Sequence, residues 1–263
     1  MRWFLKNELH AATISLHSLR NLIIIACYVT YNMAREGCLA GKAQTKVLFE
    51  FDLSFSGAVI GCDEAGRGPL AGPVVCAACI MPLEHMIDGI NDSKLVSEGK
   101  REVLYEEIIK KAVCFKVCMV DQTEIDRINI LEATKRGMCE AVGGVCKELI
   151  GLKNGSSAGG VVLVDAVSLD LEDAGLGVGG LDLKMHAIVK GDAKSYNIAA
   201  ASIIAKVTRD RIMRELDLRF PQYHFKSNKG YGTGEHIAAL KEFGACEFHR
   251  KTFIKKFVDA AGS

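Results

Sequence analysis

From Ala58 onward, short apolar runs alternate with stretches of helical period, and three of those runs stop on carboxylates. Ala58–Cys62 leads into Asp63 and Glu64, Val161–Val164 into Asp165, and Met185–Lys190 into Gly191 and Asp192. This alternation predicts an α/β domain that displays its chemistry at strand ends, because the strand fixes a backbone position while the terminal side chain faces an opening. Four acids gathered at one edge repel one another. They stay ionised together only around cations, and an all-oxygen ligand set selects Mg²⁺ or Mn²⁺.

The remaining elements follow from periodicity. Ala58–Cys62 and Val74–Met81 read as two strands of a meander, and Ala112–Val120 as a third. Ser97–Lys111, Ile130–Leu149, Lys194–Arg219 and Glu235–Phe243 read as helices, the third ended by Pro221. Glu172–Gly180, rich in glycine, reads as a surface loop. At 263 residues, 49% apolar and 25% charged, the chain has the balance of a globular protein, and a net charge of +1 selects no partner by itself. The ten cysteines are scattered through apolar segments, so reduced core thiols are expected. Cys76 and Cys79 lie inside a continuous strand-like run without a second pair, which favours packing over zinc. Near the amino terminus, Leu22–Val29 is too short to span a bilayer and too diluted for an export signal. Residues 1–47 therefore read as an extension, with Met33 as an alternative start.

The stretch DEAGRGPLAGP at Asp63–Pro73 asks for more than a turn. Adjacent residues of a regular strand face opposite ways, so Asp63 and Glu64 reach one site only if the strand breaks there, and Gly66 and Gly68 are placed to permit it. Gly66-Arg67-Gly68 also lets backbone approach a ligand closely and sets a guanidinium beside it, an arrangement suited to a sugar-phosphate. Plainer readings exist: a surface turn for Gly66–Gly68, a turn aspartate for Asp165, and a cap on the long helix for Asp192.

The stretches Gly61–Val75, Asn91–Leu95, Glu124–Lys135, Lys190–Arg211 and Lys229–Gly234 together resemble ribonuclease HII, in that family's order and over residues 48–257. The resemblance implies an RNase H-like α/β fold, with a mixed central sheet flanked by helices. It divides the chain after the extension into a catalytic domain (48–219) and a small helical substrate-binding part (220–263). It also implies endonucleolytic cleavage of the RNA strand of RNA/DNA hybrids, and of DNA containing ribonucleotides, by a two-metal mechanism leaving 5′-phosphate and 3′-hydroxyl ends. By motif match the ligands of Mg²⁺ or Mn²⁺ are Asp63, Glu64, Asp165 and Asp192. Gly66, Arg67 and Gly68 match the residues that read the 2′-hydroxyl, and Tyr231 the one that packs on the neighbouring sugar. Two departures stand out: Ala166 follows Asp165 where many relatives have glycine, and Glu172–Gly180 is longer and richer in glycine than usual. Ribonuclease HIII fits less well, since its equivalent motif lacks the arginine.

Lys94, Lys190, Lys194, Ser195, Lys229, Arg250 and Lys251 are the candidates for holding the duplex, with affinity falling steeply as salt rises. A monomeric, cytoplasmic protein with no membrane partner is expected. Two rivals remain: a four-acid exonuclease or other phosphodiesterase, which needs a free end, and a hybrid-binding module without catalysis.

Overall fold

The computed structural model describes residues 41–152, 159–169 and 182–258. The chain divides into two units, Met1–Gln44 and Thr45–Ser263, and every element below, save the first turn of one helix, belongs to the second. Five strands form its sheet: β1 (Ala58–Ala65), β2 (Val74–Ile80), β3 (Cys114–Val120), β4 (Gly159–Asp165) and β5 (Asp182–Ile188), in the spatial order β3-β2-β1-β4-β5. The first three make an antiparallel meander, whereas β1, β4 and β5 run parallel. The helices are α1 (residues 41–53, of which 45–53 lie in this unit), α2 (Glu98–Lys111), α3 (Gln122–Ile128), α4 (Ile130–Leu152), α5 (Tyr196–Arg219), α6 (Phe225–Asn228), α7 (Gly234–Phe243) and α8 (Lys251–Val258). This is the mixed sheet flanked by helices that the resemblance implies, built on the α/β alternation read from the residues. The extension up to residue 40, with Leu22–Val29 and Met33, and the loop Glu172–Gly180 lie outside the described residues. Among the described residues, no helix is long and apolar enough to cross a membrane.

Strand alternation sends Cys62, Cys76 and Cys118 to one face, where Met138 and Val142 of α4 cover them. Ala65, Val75, Ala77 and Cys79 go to the other, under α5 and the buried Leu104 and Ile108 of α2. Cys76 and Cys79 thus face opposite ways and cannot share a metal; burial pushes both thiols up. The α5 helix lies very close to β1 because Ala199, Ala200 and Ala201 are small and Gly61 has no side chain. A Cβ on Gly61 would stand 2.1 Å from the carbonyl carbon of Asn197.

Four helices escaped the periodicity reading: the short α6 and α8, α3, whose cap Asp121 accepts from the Glu124 N–H, and α1. Helix α1 matters to the site because it anchors the start of α5. The fully buried Asp52 accepts from both the backbone N–H and the side-chain amide of Asn197, each at 2.8 Å, and Asn197 Oδ1 accepts from Met81 N–H at 2.7 Å. Asp52→Ala leaves two buried donors unpaired and is expected to cost roughly 2–4 kcal/mol, read as a lower urea midpoint. An unchanged midpoint would show that Asn197 finds other partners.

Candidate active site

Because β1 and β4 are parallel neighbours, Asp63 and Asp165 emerge at the same edge of the sheet. The strand break expected at Asp63 and Glu64 is not there. Strand β1 stays paired through Ala65, with Asp63 opposite Ala77 and Glu64 opposite Cys76, and turns only at Gly66, whose φ is +100°. The two carboxylates keep strand alternation, yet both line one cleft at the strand end, so sharing it needs no break. The third aspartate arrives by a turn: Lys190, at φ +56°, delivers the chain from β5 into a 3₁₀ turn, Gly191–Ala193. Asp165 Oδ1 accepts from the Gly191 N–H at 2.7 Å, which ties that turn to β4.

One carboxylate oxygen from each of Asp63, Asp165 and Asp192 lies within 4.8 Å of the others. Glu64 stands outside this trio, with Oε1 at 3.5 Å from Arg67 Nη1 and a buried Oε2 that has no hydrogen-bond partner among the described residues. Burial first, then the neighbouring carboxylates of Glu64 and Asp165, hold the Asp63 carboxyl well above its ordinary range. Burial likewise raises Glu64 against the opposing pull of Arg67, and raises Asp192 together with the repulsion of Asp92. Lys94 Nζ, 3.3 Å from Asp192 Oδ2, is the one cation paired with the trio among the described residues; desolvation pulls its ammonium down, but Asp192 and Asp92 outweigh it and raise it. Ala166 sits at φ +50°, a left-handed conformation that glycine adopts without strain. Ala166→Gly is expected to stabilise the protein by up to about 1 kcal/mol, visible in a urea titration; a loss would mean the alanine methyl packs favourably.

Beside the acids is a cleft of about 280 Å³, lined by Gly66, Arg67, Gly68, Lys94, Lys206 and Tyr231 among others. Two buried arginines shape it. Arg250 donates to the carbonyl oxygens of Gly66 (2.6 Å), Arg67 (2.9 Å) and Gly72 (3.0 Å), and Arg209 to those of Pro73 (3.0 Å), Lys229 (2.9 Å) and Ala71 (3.1 Å). Any side chain at Gly66 would collide with the second clamp, since a Cβ would lie 2.1 Å from Arg209 Nε. Across the cleft, Tyr231 Cε1 comes within 3.6 Å of where a Gly68 Cβ would be.

Several expected duplex contacts change role. Ser195 is fully buried, and its hydroxyl caps α5 by accepting from the Ile198 N–H; the capping considered for Asp192 falls to Ser195 instead. Arg250 is fully buried in its clamp, and Lys229 pairs with Glu98 at 3.3 Å. Lys94, Lys190, Lys194 and Lys251 are exposed. Lys206 and Arg209 were missed, although Ser202, Lys206 and Arg209 form a readable polar stripe at i, i+4 and i+7 on an apolar helix. A larger cleft of about 1260 Å³ along α4 and β3 carries no such cluster among the described residues, and its Lys116 and Lys135 are paired with Glu148 and Glu132.

The sequence profile of ribonuclease HII matches residues 60–256, which include Asp63, Glu64, Asp165 and Asp192. The chain belongs to the ribonuclease HII family. A ribonuclease HII of Acetivibrio thermocellus is 48% identical over 200 residues, 76% of this chain and 71% of that protein. The crystal structure of ribonuclease H2 from Pyrococcus horikoshii OT3 superposes with a TM-score of 0.59 at 26% identity, covering 78% of this chain and 98% of that one. Bst-RNase HIII in complex with Mn²⁺ shares the fold, with a TM-score of 0.59 at 18% identity over 79% of this chain and 71% of that one. Family membership makes the chain a ribonuclease H, an endonuclease acting on RNA/DNA substrates.

Proposed function

We propose that this ribonuclease HII cuts the RNA strand of hybrids and also cuts 5′ of single ribonucleotides embedded in DNA, leaving 5′-phosphate and 3′-hydroxyl ends. Removal of misincorporated ribonucleotides and of RNA primers follows from that activity. The observation that carries the reading is the juxtaposition of the carboxylate trio with the Gly66–Gly68 backbone and Tyr231 around one cleft.

The residues fit divalent cations. All donors are carboxylate oxygens, Glu64 Oε2 is buried without a partner among the described residues, and burial with the neighbouring carboxylates raises the proton affinity of Asp63. Asp63, Glu64, Asp165 and Asp192 would hold two ions, Mg²⁺ or Mn²⁺. When bound, such ions activate a water and stabilise charge on the leaving oxygen of an in-line displacement. The chain's own groups position the substrate. Backbone at Gly66 and Gly68 hydrogen-bonds the 2′-hydroxyl, the group that separates RNA from DNA, and the Tyr231 ring packs on the adjoining sugar. Arg67 and Lys94, at the cleft wall, meet phosphate oxygens.

A duplex with one ribonucleotide, compared with the same duplex carrying a 2′-O-methyl group there, tests the sugar reading. Cleavage of the first only, with 5′-phosphate ends, is expected. Equal cleavage of both would show that the 2′-hydroxyl is not read.

A further inference from the structure

Two imidazoles outside the carboxylate site are joined in a way that fixes their protons. His236 in α7 and His249 just before α8 are buried, and their Nε2 atoms are 3.0 Å apart. The Cys246 N–H donates to His249 Nδ1 at 3.0 Å, so a neutral His249 carries its proton on Nε2. That Nε2–H then donates to His236 Nε2, which leaves the His236 proton on Nδ1, 2.8 Å from the Tyr231 carbonyl oxygen. The hydrogen bonds run in one direction, from Cys246 through both rings to Tyr231. Burial lowers both imidazoles, His249 to about 4 with the neighbouring His236 contributing, so both are neutral at pH 7 and the direction holds.

The ends of this relay are the two sides of the cleft. At one end His249 forms a β-bridge with Ala71, Gly72 N–H donates to Phe248 O at 2.9 Å, and Arg250 clamps the carbonyls of Gly66 and Arg67. At the other end is the backbone of Tyr231, whose ring faces Gly68. The rings of Tyr223 and Phe225 pack on both imidazoles, which leaves them little room to reorient.

We propose that the His236–His249 pair is a positioning device that sets the Tyr231 ring at a fixed height above the Gly66–Gly68 backbone, and so sets the fit of the ribonucleotide sugar between them. The proposal rests on the sugar-reading role given above to those residues. Neither imidazole touches the substrate; both act through Tyr231.

Two measurements test it. Nitrogen-15 NMR of the imidazoles is expected to show His236 protonated on Nδ1 and His249 on Nε2; a His236 proton on Nε2 would overturn the relay. In kinetics on a duplex with one ribonucleotide, His236→Leu is expected to raise KM roughly tenfold, the scale of one lost orienting hydrogen bond. kcat and Mn²⁺ affinity should stay unchanged. His236→Asn, which returns an N–H near the place of Nδ1, should recover most of the loss and also serves if the leucine variant fails to fold. In a Tyr231→Ala background neither change should matter further. Additive losses, or a fall in Mn²⁺ affinity, would show that the pair merely supports the fold. A parent protein that leaves the ribonucleotide uncut defeats the functional reading and this proposal with it, whereas a cutting parent with additive losses defeats this proposal alone.

Discussion

Asp63→Asn is expected to lower Mg²⁺- or Mn²⁺-dependent cleavage by roughly three orders of magnitude or more while making the metal-free protein more stable. The first effect follows from removing a negative charge and one of the two carboxylate oxygens of Asp63 from the trio, where the ions supply several kcal/mol of transition-state stabilisation, each 1.4 kcal/mol of which is about tenfold in rate. The second follows from the electrostatics. Burial and the adjacent acids raise the folded-state carboxyl of Asp63 well above 3.8, its ordinary value. A group with a raised folded pKa contributes stability that is fully present below the unfolded value and is lost as pH rises through the folded one. At pH 7 the parent bears that loss and the asparagine variant does not. Thermal scans without metal should place the variant's Tm above the parent's, and added Mn²⁺ should raise the parent's Tm far more. Equal metal-dependent turnover in the two proteins would contradict the assignment.

Arg250→Ala is the second large effect. The fully buried guanidinium holds three carbonyl oxygens, and its loss strands them and opens a cavity beneath the Gly66–Gly68 turn. Charged hydrogen bonds of this kind contribute about 1.5–3 kcal/mol each before non-additivity, so a loss of roughly 3–5 kcal/mol is expected. That corresponds to a fall in Tm of roughly 10 degrees for a domain this size. Arg250→Lys keeps charge but cannot span three acceptors, and should recover only part of the stability while cutting single ribonucleotides poorly. A lysine variant equal to the parent in both would show that the planar fork is not what shapes the turn.

What could be read from the sequence, and what could not, divides along physical lines. The strand-end acids were legible because a buried apolar run that stops on a carboxylate has few structural reasons to do so, and Asp63, Asp165 and Asp192 do meet. The place of the strand break was not legible. It depends on pairing with β2, which carries β1 two residues past Asp63 to Ala65, so that the turn comes at Gly66. Local spacing likewise could not separate Ser195 from Asp192 as the cap of α5, since either residue type serves and only the 3₁₀ turn decides. The deepest omission was the role of buried cations. Arg209 was passed over and Arg250 read as an exposed duplex contact because arginine is usually exposed, yet both are satisfied by carbonyls that, Lys229 apart, come from more than a hundred residues away. Such long-range satisfaction leaves no mark on local periodicity.

A covalently closed circular duplex containing one ribonucleotide tests the central claim most directly, because it offers no end and only one 2′-hydroxyl. With Mg²⁺ or Mn²⁺ the protein should convert it to a nicked circle, should leave the all-deoxy circle closed, and should do neither as Asp63→Asn. A ribonucleotide-containing circle that stays closed, while a linear duplex of the same sequence is shortened from its ends, would contradict the account.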